Sequence, residues 1–285
     1  MLRRRKKPPK VMRHATPGPA TVPVTPSRRR ARPDATVPQE LRIRPAPVEQ
    51  SRPPAPKQPA QKPPASRPGR GENVVLVTGF EPFGDEALNP SWEVCTRLPR
   101  TIAGLRVEIL RVPCEFRSSI EVAAEAIERH RPKLVILLGQ AGGRAHLSVE
   151  RVAINVDDAR HPDNAGAAPV DEAIAAEGPP AYFATIPVKA VARAMRAAGV
   201  PAEVSNSAGT YVCNHLMYGV LHFLAASGAA GRAGFIHLPY AEEQVLDKPG
   251  APALSVDTMV KGVEAAIVAA SRNAHDIKVS EGTLD

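Results

Sequence analysis

Residues 117–139, RSSIEVAAEAIERHRPKLVILLG, set a helical spacing of apolar positions directly before an unbroken apolar run. Residues 117–130 read as an amphipathic helix that Pro132 stops. KLVILLG (133–139) reads as a strand buried on both faces, the most apolar in the chain and therefore central to its sheet. The same alternation extends both ways. Upstream lie a buried strand at VVLVT (74–78), a helix at NPSWEVCTRL (89–98) with Asn89 as N-cap and Pro90 at its first position, and a strand at RVEILRV (106–112). Downstream, ERVAINVDD (150–158) reads as an irregular strand that leads into the loop ARHPDNAGAAP (159–169). A helix follows at 184–199 with Pro187 in its first turn, then a short strand at EVSNS (203–207). An apolar helix at NHLMYGVLHFLAAS (214–227) is stopped by Gly228, GFIHLP (234–239) forms the last core strand, and residues 255–272 form a closing helix. Strands alternating with helices, most strands apolar on both faces, predict a three-layer α/β/α sandwich around a mainly parallel, mixed sheet.

The chain divides sharply in composition. Residues 1–70 hold 18 Lys and Arg against 3 Asp and Glu, a net of +15, with 17 of the 31 prolines and none of the 11 aromatics. The rest carries a net of −7. A segment so basic and proline-rich buries too little apolar surface to offset its ordering entropy. Residues 1–71 are therefore expected to be a disordered tail, and 72–285 a single catalytic α/β domain. The pI near 9.7 belongs to the tail and does not describe a nucleic-acid-binding fold. Clusters such as RRRKK (3–7) and RRRAR (28–32) support a competing reading, in which an inactive or secondary domain is tethered to nucleic acid or acidic surfaces by its tail. Three cysteines make no disulfide framework and fit a reducing, cytoplasmic compartment. No stretch reaches the roughly 18 apolar residues of a membrane span, and no apolar segment follows the charged start as a secretory signal requires.

In open α/β sheets, sites gather at the carboxyl ends of strands. There the chain places GFEPFG (79–84), GQAGGR (139–144), SAGTYVC (207–213) and His237. Cys213 opens an apolar helix, where free N–H groups and partial positive charge favour a thiolate and can hold an oxyanion. A thiol nucleophile needs a base, and His237, ending a strand in FIHLPY, has better access than His215 or His222, which point along or away from their helix. Glu150, in LSVERVAIN, is a carboxylate in an apolar setting that can orient an imidazole. Each of these residues alone is also compatible with a structural role. No HExxH, CxxC or phosphate-binding glycine motif is present, so no metal or cofactor is expected.

Three segments together resemble a known family. VLVTGFEPFGDEALNPSWEV is similar to the N-terminal signature of pyroglutamyl peptidase I. GQAGGRAHLSVERVAIN (139–155) resembles that family's glutamate active-site motif, and VSNSAGTYVCN (204–214) its cysteine active-site motif. The resemblance runs from about Val74 to about Ser271 and implies a cysteine peptidase that removes N-terminal pyroglutamate from peptides. It implies a Cys213–His237–Glu150 triad, with Phe80 and Phe83 flanking the lactam ring. It also implies Gln140 near the lactam or scissile carbonyl, Arg160 near the catalytic groups, and a homotetramer. His161 stands where the family usually has an apolar residue, and Tyr211 where phenylalanine is frequent, both beside the expected substrate pocket. Glu81, between the two phenylalanines of GFEPFG, is assigned to fixing that turn and not to catalysis.

Overall fold

The computed structural model describes residues 73–282; the expected tail, 1–71, lies outside the described residues. The chain runs β1 (Val74–Phe80), α1 (Pro90–Arg97), β2 (Thr101–Ile102), β3 (Leu105–Val112), α2 (Ser118–His130), β4 (Leu134–Gln140) and β5 (Leu147–Glu150). It continues through β6 (Val152–Ile154), β7 (Ala181–Phe183), α3 (Val188–Ala197), β8 (Ala202–Ser205) and α4 (Val212–Ser227). It closes with β9 (Arg232–Leu238), β10 (Tyr240–Ala241), β11 (Ala253–Leu254) and α5 (Val256–Arg272).

Seven strands form the main sheet in the order β2-β3-β1-β4-β9-β5-β8. β3, β1, β4 and β9 are mutually parallel, whereas β2 runs against β3 and β5 against β9. The expected central strand, β4, is indeed flanked on both sides, and β1 and β4 are buried almost throughout. Strand alternation sends Leu76, Phe80, Val135, Leu137, Ala233 and Phe235 to one face, where they pack with α2 and α4 residues such as Ile127, Val212 and Leu216. The opposite face packs Val75, Val77, Ile136, Leu138 and Ile236 with α1, α3 and α5 residues such as Val94, Val191 and Val263. These two cores make the three layers that the alternation predicts.

Local chemistry sets the helix ends. Asn89 caps α1 by accepting the Ser91 N–H at 3.1 Å, with Pro90 at the first helical position. Gly228, in the left-handed region at φ 65°, ends α4. Two expectations shift. The helix expected from residue 184 starts at Val188, because a residue before proline is disfavoured from helical conformation, which excludes Ile186, and Thr185 bonds Ala233 through both its N–H (2.9 Å) and its hydroxyl. The irregular strand expected over 150–158 is divided instead. Glu150 ends β5 in the main sheet, while Val152–Ile154 pairs with β7 in a separate two-stranded ribbon. Among the described residues, no helix is long and apolar enough to cross a membrane.

Candidate active site

The reversed strand β5 sets the geometry of the site. His237 is the penultimate residue of β9 and pairs with Gly139 of β4 on one side and Ser148 of β5 on the other. Because β5 runs against β9, its last residue, Glu150, sits opposite Phe235, two positions back along β9 from His237. Glu150 is therefore fully buried, yet on the same face as His237, and its Oε1 lies 2.7 Å from His237 Nδ1. The Phe235 ring packs against the imidazole at 4.7 Å between centroids. An ionised carboxylate only accepts, so Nδ1 carries the proton and Nε2 is the nitrogen left to take one.

Cys213 reaches the same face from α4. A methyl placed at Gly139 would lie 2.9 Å from Cys213 Sγ and 2.6 Å from Phe235 Cζ. The sulfur thus rests over Gly139, the strand neighbour of His237, and only a residue without Cβ leaves it room. The start of α4 is tied down by Asn214, whose buried amide donates to Ile154 O (2.9 Å) and Val156 O (3.0 Å) and accepts the Ile154 N–H at 2.9 Å. Tyr211, the N-cap, supplies no side-chain acceptor, so the first-turn N–H groups stay available beside the sulfur.

Opposing influences act on the Cys213 sulfur. The helix start alone would favour a thiolate, but burial first and then the nearby Glu150 charge push the Cys213 thiol up to about 12, with Arg144 partly countering. For Glu150, burial pushes its carboxyl up, but the hydrogen bond and charge of His237, with help from Arg144, outweigh that and hold it below the usual carboxylate value. Arg144 donates to the same Oε1 at 2.8 Å. Arg144 ends the GQAGGR segment, and its signal in the sequence is a cation six residues before a carboxylate in an apolar setting. The Ser205 hydroxyl, which pairs by register with Glu150, donates to Ser207 O at 3.2 Å, leaving Glu150 Oε2 buried without a hydrogen-bond partner.

The remaining expected residues fall into two groups. Phe80 is fully buried on the Cys213 face, and Phe83 is half-buried with its ring 6.4 Å from that of Tyr211. The exposed His161 stacks obliquely on Tyr211 at 5.1 Å, and the Tyr211 hydroxyl donates to Pro162 O at 3.1 Å. Glu81 Oε1 accepts the Cys114 N–H at 3.2 Å and the Asn164 amide at 2.8 Å, the loop-fixing geometry assigned to it. By contrast, Gln140 is not brought to the Cys213 face. Strand alternation directs its side chain to the α1/α5 side, where its Oε1 accepts from Gln244 at 2.9 Å. Arg160 is exposed and pairs with no carboxylate among the described residues. Among the described residues, no three His, Cys, Asp or Glu side chains converge as a metal-binding group.

A family model described as pyroglutamyl peptidase matches residues 73–273. A pyrrolidone-carboxylate peptidase of Cupriavidus taiwanensis is 54% identical over 213 residues, covering 74% of this chain and 99% of its own. One from Erwinia tasmaniensis is 50% identical over 209 residues, covering 73% and 97%. Among solved structures, pyroglutamyl peptidase I of Bacillus amyloliquefaciens is 43% identical with a TM-score of 0.71, covering 73% of this chain and all of its own. The pyrrolidone carboxyl peptidase of Thermococcus litoralis is 37% identical with a TM-score of 0.70, covering 73% and 99%. With at least half of the aligned residues identical to these curated relatives across almost their whole length, the chain belongs to the pyroglutamyl peptidase family.

Proposed function

We propose that Cys213, His237 and Glu150 carry out the reaction that family membership gives the chain, hydrolysis of the bond after an N-terminal pyroglutamyl residue. The observation that carries this assignment is the Glu150–His237 hydrogen bond on the face where Cys213 Sγ rests over Gly139. His237 Nε2 takes the Sγ proton as sulfur attacks the pyroglutamyl carbonyl. The S–C bond forms, the carbonyl oxygen becomes an oxyanion, and the first-turn N–H groups of α4 stabilise it. Glu150 stabilises the imidazolium as it forms. When the C–N bond breaks, His237 returns the proton to the departing amine and frees a peptide with an ordinary N-terminus. Water, deprotonated by His237, then splits the thioester, releasing 5-oxoproline and restoring the thiol.

The substrate has no ammonium group, so recognition rests on the flat lactam: an apolar rim and one donor and one acceptor edge. Phe83, Tyr211 and His161, clustered at the start of α4, supply aromatic surface for that rim. A site that satisfies a buried polar edge discriminates against analogues without its partner. Hydrolysis of a fluorogenic pyroglutamyl amide beside its prolyl analogue tests the assignment. Turnover of the first alone supports it; equal turnover, or full activity in Cys213→Ala, contradicts it. A homotetramer and a cytoplasmic location are further parts of this proposal, supported by the family resemblance and the unpaired cysteines, and checked by sedimentation and by cell fractionation.

A further inference from the structure

Apart from Glu150–His237, the fold builds a second buried carboxylate–histidine pair, Asp157–His215, that the chemistry above does not use. His215 lies two residues after Cys213, roughly 200° around α4. Its Nδ1 is 2.7 Å from Asp157 Oδ2, with both side chains buried, and its Nε2 accepts the Arg117 N–H at 2.8 Å. A nitrogen that accepts carries no proton, so Nδ1 bears it and donates to Asp157; the two neighbours fix the tautomer from both sides.

What this pair holds is unusual. Arg117 has φ 67° and ψ −65°, at the centre of a three-residue turn closed by Ser118 N–H to Phe116 O at 2.8 Å. That conformation is strained for a residue with a Cβ and persists only where surrounding contacts enforce it. The turn is pinned at its other end by the Phe116 N–H, which donates to the buried Asp163 at 2.7 Å. Between these two anchors sits the half-buried Phe116 ring. It stands edge-on to His215 (5.4 Å, 87°) and edge-on to Tyr211 (5.4 Å, 89°). Tyr211 in turn touches Phe83 and His161.

We propose that Phe116 is a specificity-determining wall of the pyroglutamyl pocket and that His215 is its positioning residue. The His215–Arg117 bond holds the strained turn that aims the ring at Tyr211 and the lactam rim. This inference rests on the function proposed above. His215→Asn keeps an amide where Nδ1 meets Asp157 but removes the acceptor that holds Arg117. The strain can be relieved separately by Arg117→Gly, since glycine adopts a positive φ without a Cβ penalty.

Kinetics of the full chain on a fluorogenic pyroglutamyl amide test this, with thermal melting and the rate of Cys213 alkylation by iodoacetamide measured in parallel. His215→Asn is expected to raise KM about tenfold, the loss of one buried hydrogen bond. Its kcat should stay within about twofold, because the ring binds ground and transition states alike. Alkylation should be unchanged. Adding Arg117→Gly should return KM to that of Arg117→Gly alone. Should His215→Asn not fold, Phe116→Leu reads the pocket directly and should raise KM in the same way. A His215→Asn protein that only melts lower, a KM that Arg117→Gly does not restore, or an unchanged KM in Phe116→Leu overturns the proposal. An inactive wild-type protein would instead refute the function on which it rests.

Discussion

Replacing Glu150 by glutamine removes one charge from a fully buried site while keeping its shape. Glu150 Oε1 accepts from both His237 Nδ1 (2.7 Å) and Arg144 (2.8 Å). In the variant, a glutamine turned to place its NH2 on that side would face two donors, so the amide oxygen stays where Oε1 was. Its NH2 then lies on the Oε2 side, near Ser205. The imidazole therefore keeps its tautomer and orientation, and only the charge that stabilises the imidazolium is lost. A hydrogen bond to a charged partner contributes about 1.5–3 kcal/mol, so kcat should fall about 10- to 150-fold, with KM nearly unchanged. Steady-state hydrolysis of a pyroglutamyl amide at neutral pH measures this. A kcat within about threefold of wild type would show that Glu150 does not serve His237. A loss of about 10⁴, the scale expected when the tautomer is lost, would show that Arg144 does not hold that oxygen.

Removing Arg144 with methionine takes a positive charge from beside Glu150 and Cys213; the acid limb of kcat/KM should move to higher pH and alkylation of Cys213 should slow, and an unchanged profile would place the guanidinium outside the catalytic circuit. Gly139→Ala should cost about 10²-fold or more in kcat, since its methyl must displace the sulfur or the Phe235 ring, and kinetics together with a melting curve separate this from unfolding. Glu81→Gln should raise KM or lower the melting temperature and leave kcat nearly intact, because Glu81 binds the Cys114 and Asn164 amides and not the triad. Glu150 is held below the usual carboxylate value of 4.5, so its charge stabilises the fold fully above that pH and the contribution fades as pH falls through the folded value. The stability gap between wild type and Glu150→Gln should therefore shrink on acidification, as denaturant melts at neutral and acid pH would measure.

The parts legible in the sequence are those encoded locally. Continuous apolar runs mark β1, β4 and β9, Asn89–Pro90 marks the start of α1, and Gly228 the end of α4. Cys213, His237 and Glu150 are legible through motif resemblance, since each also passes for an ordinary core residue. The reversed course of β5 and β8 is not legible. LSVE is short, and its two polar residues, Ser148 and Glu150, face inward, so alternation there does not report solvent. Nor is the role of His215, which on the sequence merely points away from the nucleophile; Asp157 and the Arg117 N–H come to it from 58 and 98 residues away. The balance of influences on the Cys213 thiol is hidden for the same kind of reason. The helix start is visible in the sequence, but the burial and the Glu150 charge that oppose it exist only in the folded chain.

The central claim is that the pyroglutamyl group passes through a thioester on Cys213. Acid-quenched digestion with a pyroglutamyl amide, followed by mass spectrometry of the peptides, tests it most directly, with Glu150→Gln used to slow the hydrolysis step. The account predicts a pyroglutamyl adduct on the peptide that contains Cys213, absent from Cys213→Ala and lost on treatment with hydroxylamine. An adduct on another residue, or turnover that persists in Cys213→Ala, would contradict it.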